Sequence, residues 1–277
     1  DLRRLGLSIT FVTNNSGKSR AEVAGKLRGM GILALEEDVL TSSYAAGLLA
    51  RRVLGTGSPV LAIGTPGLCR ELANAGLHLG EEPGAARAVV VGHDPTFSYD
   101  KIALALEALQ AGALFIACNR DATYPAEGGR LLPGCGPLVA AIEAAAGRAP
   151  DGVAGKPEPV LLKLVATRGG LRPHQVLVVG DSLASDIAMA ERLGAPSVLV
   201  GDDAGDAARS APAQAGRKPS PAAPDGACPP GRGEARWRYP AGAPAPTCAV
   251  PTLAELPRLL AVALPTADML PLPEGYA

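Results

Sequence analysis

Aromatic residues are scarce in this chain: Phe, Trp and Tyr together make up 3% of 277 residues. That argues against the stacking platforms on which single-stranded nucleic acid is held. An excess of either charge is lacking too, because 26 basic and 27 acidic residues leave a formal net charge of −1. No broad field draws in nucleic acid or an anionic membrane surface. Long apolar runs are missing as well. None reaches membrane-spanning length, and the amino end, DLRRLGLSITFV, has neither the apolar block nor the small-residue cleavage site of a signal peptide. The cysteines Cys69, Cys118, Cys135, Cys228 and Cys248 form no CxxC pair and have no histidine cluster nearby. Their odd number and wide spacing fit reduced thiols better than a disulfide framework or a zinc site. The expectation is a cytoplasmic protein with local sites for small ligands, and with no nucleic-acid or membrane partner.

What is present is a hydrophobic content of 47%, enough for a sizeable core, and a recurring order of apolar run, polar loop and helical pattern. Ser8 to Val12 reads as a buried strand that empties into Thr13-Asn14-Asn15-Ser16. Ser19 and Glu22 then form the S-x-x-E box that opens a helix. A hydroxyl, two amides and a helix amino terminus converging at a strand end make an anion cradle; the plainer reading is an ordinary β-α turn with Ser and Asn capping. Further strand-helix steps follow at Val60–Ile63, Val89–Val91 and Leu114–Ala117, with loops at Gly92-His93-Asp94 and Asn119 to Pro125, and a helix at Leu138–Ala146. Gly155-Lys156-Pro157 sits in the turn before another helix, where a lysine is ordinarily a solvated surface charge.

Val176 to Ile187, VLVVGDSLASDI, carries two carboxylates five positions apart, Asp181 and Asp186, in a loop after an apolar strand. In parallel α/β sheets ligands sit just outside the carboxyl ends of the strands. Two acids there suit Mg²⁺, which takes one or two carboxylates together with phosphate and water. The alternative is a solvated loop in which Asp181 is a turn residue and Asp186 an N-cap. The letters Gly180-Asp181-Ser182-Leu183 also spell the signature of the GDSL esterases. A nucleophilic serine needs a base, however, and that family's histidine lies far downstream, whereas His78, His93 and His174 all precede Ser182.

Taken together, FVTNNSGKSR, VVVGHDPTFSY, the Asn119 to Pro125 loop, PGCG, GKPEP and VVGDSLASDI resemble the haloacid dehalogenase superfamily, and within it the nitrophenyl, phosphoglycolate and pyridoxal phosphate phosphatases. The likeness runs to about residue 201, with a weaker echo at 250–260. It implies an α/β fold, a Rossmann-like three-layer core with a parallel sheet plus an inserted α/β cap domain. The implied divisions are a first core part at 1–55, the cap at 56–150, a second core part at 151–200, a low-complexity disordered insertion at 201–247 and a core-associated segment at 248–277. It further implies that Thr13 and Asn14 hold a phosphoryl group with Asn15 beside them, that Lys156 neutralises it, that Asp181 binds Mg²⁺ with Asp186 in support, and that His93 and Tyr124 meet the leaving group. The substrate would be a small phosphorylated metabolite, and a homodimer through the cap is compatible with the family.

One element of the resemblance is missing. The family's nucleophile is the first Asp of a D-x-D-G motif on the strand before the threonine loop, and these 277 residues contain no such motif. Without it the phosphoaspartyl cycle cannot run, and the sheet loses a strand between those at 8–12 and 176–179. The expectation is a truncated, inactive form of an active phosphatase. The competing expectation is a non-catalytic phosphate-binding or dimerising protein of the same fold.

Overall fold

A computed structural model of the chain describes residues 2–80, 82–201 and 248–250. Along the chain come β1 (Phe11–Thr13), α1 (Arg20–Gly29), β2 (Val39–Thr41), α2 (Ser42–Leu54), β3 (Pro59–Ile63), α3 (Pro66–Asn74), β4 (His78–Leu79), β5 (Ala88–Val91), α4 (Tyr99–Gln110) and β6 (Leu114–Ala117). There follow β7 (Thr123–Pro125), β8 (Leu131–Pro133), α5 (Cys135–Ala146), β9 (Gly152–Val153), α6 (Val160–Gly169), β10 (Val178–Gly180), α7 (Ala188–Leu193), β11 (Ser197–Val200) and β12 (Cys248–Val250). The chain divides into two compact units, one of Thr10–Leu164 and the other of Asp1–Ile9 with Val165–Ala277.

The Thr10–Leu164 unit is built on a five-stranded parallel sheet in the order β4-β3-β5-β6-β9. All four residues of β5 are buried, as are Phe115, Ile116 and Ala117 of β6, the continuous apolar pattern of strands covered on both faces. The helices that cover a sheet must themselves pack closely. Gly47 of α2 lies where a Cβ would come within 2.7 Å of the Ala75 Cβ, so a small residue there lets α2 approach α3. In the same unit β1 and β2 form a separate parallel pair, Phe11 opposite Val39 and Thr13 opposite Thr41. Phe11, Val23 and Leu27 pack over the buried Ala24, Ala34 and Val39.

The other unit holds the parallel sheet β10-β11-β12. Leu183, Ile187 and Leu199 form one buried cluster there, and Leu2, Leu177, Val179 and Val200 pack around Val198 in another.

The α/β class read from the sequence is the observed one. The Ser19 cap and the strands at Val60–Ile63, Val89–Val91 and Leu114–Ala117 stand where the residue pattern puts them, within a residue at their ends. Three local readings change. The first strand runs from Phe11 to Thr13 rather than from Ser8 to Val12. The segment read as an open loop around Tyr124 forms the antiparallel hairpin of β7 and β8, and α5 begins at Cys135, within the PGCG turn, with Gly134 as its N-cap. The insertion expected at 201–247 lies outside the described residues but for Gly201, and so does the segment expected at 248–277 but for Cys248–Val250.

Candidate functional site

Thr13 ends β1 half-buried, so its side chain is placed at the carboxyl end of a strand. The backbone N–H of Asn15 donates to Thr13 Oγ1 at 3.1 Å. A hydroxyl that accepts from the backbone keeps its own proton to donate outward. Asn15 Oδ1 accepts from the N–H groups of Gly17 and Lys18 at 3.0 and 2.8 Å, an Asx turn that shapes the loop. Ser19 then caps α1, with its N–H and hydroxyl both bonded to Glu22 Oε2 at 2.7 Å. The backbone and then the hydroxyl hydrogen bond from Ser19 hold the Glu22 carboxyl below its ordinary value.

Asn14 faces another way. Its Nδ2 donates to both carboxylate oxygens of Asp121 at 3.1 Å and to the Lys156 carbonyl at 3.0 Å, while its Oδ1 accepts the Lys156 N–H at 2.7 Å. The main-chain carbonyl of Asn14 accepts from Ser42 Oγ at 2.7 Å and from Asn119 Nδ2 at 2.6 Å. The side chain read as a direct phosphoryl contact is thus committed to protein partners. Gly155 makes this contact geometrically available: a Cβ there would stand 2.7 Å from Asn14 Oδ1 and from the Cys118 carbonyl.

His93 and Tyr124 meet edge to face, with ring centroids 5.1 Å apart and planes at 84°. Ser16 ties His93 to the Thr13 loop, accepting its backbone N–H at 2.9 Å. The next residue, Asp94, accepts from Thr96 and Lys101. Burial alone would raise its carboxyl, but the hydrogen bonds from Lys101 and Thr96 outweigh it and bring the value down. Burial pushes the Cys135 thiol up to about 11 and the Cys118 thiol well above its usual value, so neither is poised as a nucleophile.

Thr13, Asn14, Asn15, Lys156, His93 and Tyr124 therefore belong to one compact unit, with Asn14 bonded to Lys156 and Ser16 to His93. Asn119 and Asp121 went unassigned in the sequence reading. Their signal was the N-x-D spacing: the Asp121 N–H donates to Asn119 Oδ1 at 3.0 Å, a local turn that aims both side chains at the Thr13 loop.

In the Val165–Ala277 unit, Asp181 is exposed just after β10 and Asp186 is buried. The Ser182 N–H donates to Asp186 Oδ2 at 3.3 Å. Ser182, not Asp186, is the cap of the following turn, its hydroxyl accepting the Ser185 N–H at 3.3 Å, which gives the GDSL serine a structural role. A Cβ on Gly180 would overlap the Asp186 carboxyl group, so glycine is what lets this carboxylate lie against the strand end. Among the described residues no three His, Cys, Asp or Glu side chains gather into a closed metal site. Asp181 and Asp186 offer oxygen donors only, a chemistry that suits Mg²⁺ rather than zinc.

These features define the class: an α/β protein with polar loops at the carboxyl ends of parallel strands. Comparison with known proteins gives the family. Residues 1–78 match the model described as haloacid dehalogenase-like hydrolase, and residues 153–225 one described as HAD-hydrolase-like. The chain is 44% identical over 191 residues to the D-glycerol 3-phosphate phosphatase of Mycobacterium tuberculosis, covering 69% of this chain and 53% of the relative, so it spans about half that relative's length. It is 39% identical over 211 residues to chronophin of Bos taurus, covering 72% of this chain and 71% of that one. A solved glycerol phosphate phosphatase of Mycobacterium tuberculosis in complex with magnesium superposes with a TM-score of 0.67 at 42% identity, covering 74% of this chain and 62% of that one. The chain belongs to the haloacid dehalogenase-like hydrolase family.

Proposed function

We propose that this protein is a Mg²⁺-dependent phosphomonoester hydrolase of small phosphorylated metabolites, phosphoglycolate, nitrophenyl phosphate and pyridoxal phosphate being the classes that its family resemblance favours. The observation that supports this reading is that the Asn14 side chain bonds the Lys156 main chain at both its N–H and its carbonyl, joining the loop after Thr13 to the Gly155–Lys156 turn. Phosphoryl transfer asks chiefly for donors and cations around the equatorial oxygens. Thr13 supplies an O–H and Lys156 offsets the charge of the phosphoryl group and of an approaching nucleophile, whereas the first amides of α1 are taken by Glu71 and by the Ser19–Glu22 capping box. His93 and Tyr124 contact the leaving group, and Asp121 acts in the second rank behind Asn14. In the Val165–Ala277 unit Asp181 and Asp186 are the side chains that would hold Mg²⁺, an ion that supplies positive charge in phosphoryl transfer.

The core and cap division at 1–55, 56–150 and 151–200 is kept as part of this reading, alongside the division into units at 9/10 and 164/165. The free cysteines Cys69, Cys118 and Cys135 support a cytoplasmic setting, and no helix among the described residues is long and apolar enough to cross a membrane. A homodimer through the 56–150 segment is the assembly this reading carries.

The nucleophilic carboxylate of the family is not among these 277 residues, so this chain by itself binds the phosphoryl group and does not turn it over. The test is calorimetric titration of inorganic phosphate into the chain in the presence of Mg²⁺. Saturable binding that is lost in Lys156→Ala is expected, with no release of nitrophenol from nitrophenyl phosphate. Failure to bind phosphate at all removes the proposal.

A further inference from the structure

We infer that Asn14 and Asp121 are positioning residues for Lys156, and that they make the 119–125 loop part of the phosphate site; this rests on the proposal that Lys156 meets the phosphoryl group. Lys156 is gripped on both sides of its backbone by a single side chain. Asn14 takes its N–H at 2.7 Å and gives to its carbonyl at 3.0 Å. An amide can do this only in one rotation, and that rotation is set by Asp121, whose two oxygens both accept from Asn14 Nδ2 at 3.1 Å. Asp121 is itself held by the Asn119 side chain at 3.0 Å, and the same Asn119 reaches the Asn14 carbonyl at 2.6 Å, closing a ring of three residues to which Lys156 is joined through Asn14.

The ring has a consequence for recognition. Three residues beyond Asp121 is Tyr124, edge to face with His93. The loop that would contact the leaving group therefore also fixes the backbone of the lysine that would contact the phosphoryl group. A displaced loop releases Asn14, and with it Lys156, so phosphate is held well only when the loop is seated. Hydrogen bonds to a charged partner are among the stronger in proteins. Losing one is expected to weaken phosphate binding about tenfold.

The test is phosphate titration of wild type, Asn14→Ala, Asp121→Ala, Asp121→Asn and Lys156→Ala, each checked by circular dichroism and thermal unfolding. Asn14→Ala and Asp121→Ala should each bind phosphate about tenfold more weakly. Asp121→Asn keeps one oxygen to accept from Asn14 and should recover most of the affinity, a rescue that general loosening of the unit would not produce. Hydrogen exchange at the Lys156 amide should speed up in Asn14→Ala and Asp121→Ala and return toward wild type in Asp121→Asn. Should Asn14→Ala unfold, the Asp121 pair decides alone. Wild-type affinity in Asp121→Ala, or equal losses in Asp121→Ala and Asp121→Asn, overturns the inference. A wild type that binds no phosphate, or a Lys156→Ala that binds it normally, overturns the underlying proposal instead.

Discussion

Gly155 and Gly180 each stand where a side chain would strike the groups that the proposed chemistry uses. At Gly155 a methyl group would meet Asn14 Oδ1 and the Cys118 carbonyl, and Asn14 Oδ1 cannot yield without straining its bond from the Lys156 N–H. Gly155→Ala is therefore expected to destabilise its unit by about 1–3 kcal/mol, the usual cost of overpacking, and to lower phosphate affinity with it. Urea unfolding and phosphate titration read the two effects. At Gly180 the methyl would displace the Asp186 carboxyl, so Gly180→Ala should weaken Mg²⁺ binding in a calorimetric titration while leaving Mg²⁺-independent binding of phosphate unchanged. Thr13, Lys156 and Asp181 were legible as candidates because their residue types sit at strand ends and helix starts. The role of Asn14 was not, since the partner that turns its amide away from a ligand is Asp121, 107 positions along the chain.

Helix α1 is fastened to α3 by an ion pair deeper than its sequence suggests. Glu71 is fully buried and accepts from the Arg20 N–H and Nε, both at 2.8 Å. The Arg20 guanidinium also reaches Glu36 at 3.0 Å and lies 3.7 Å from the centroid of the Tyr44 ring. Removing the arginine leaves a buried carboxylate without its cation, so Arg20→Ala should cost about 3–5 kcal/mol in urea unfolding. The double variant Arg20→Met with Glu71→Gln should cost less. Acid acts on the same unit through Asp94, Asp151 and Glu22, whose carboxyls all lie below their ordinary values. A carboxyl with a depressed folded value lends stability above its unfolded value, near about 4, and loses it as pH falls through the folded one. The unfolding midpoint should be level above about pH 5 and fall below about pH 4, and Asp94→Asn should be less stable at neutral pH with a shallower acid fall. An element announced by its cap, such as α1 with the Ser19–Glu22 box, was readable from local residues. The hairpin of β7 and β8 was not, because Thr123-Tyr124-Pro125 is short and proline-bearing and forms a strand only by pairing with residues 131–133.

Across the whole molecule, the α/β alternation and the family were legible from ordered motifs, whereas the pairing of the strands was not. Among the described residues β1 pairs on one side only, with β2, and β10 on one side only, with β11. Each has an edge with unpaired backbone groups, where a further parallel strand can add. The D-x-D-G motif implied by the resemblance would stand on a strand added beside β1. A chimera with such a strand placed ahead of residue 8 is expected to unfold at a higher temperature than the 277-residue chain. Its hydrolysis of nitrophenyl phosphate in Mg²⁺ is the most direct single measurement of the proposed function. Steady release of nitrophenol by the chimera, abolished by Lys156→Ala and by replacing the first Asp of the added motif with Asn, is the expected result. A folded chimera that releases none, or one whose rate is untouched by Lys156→Ala, contradicts it.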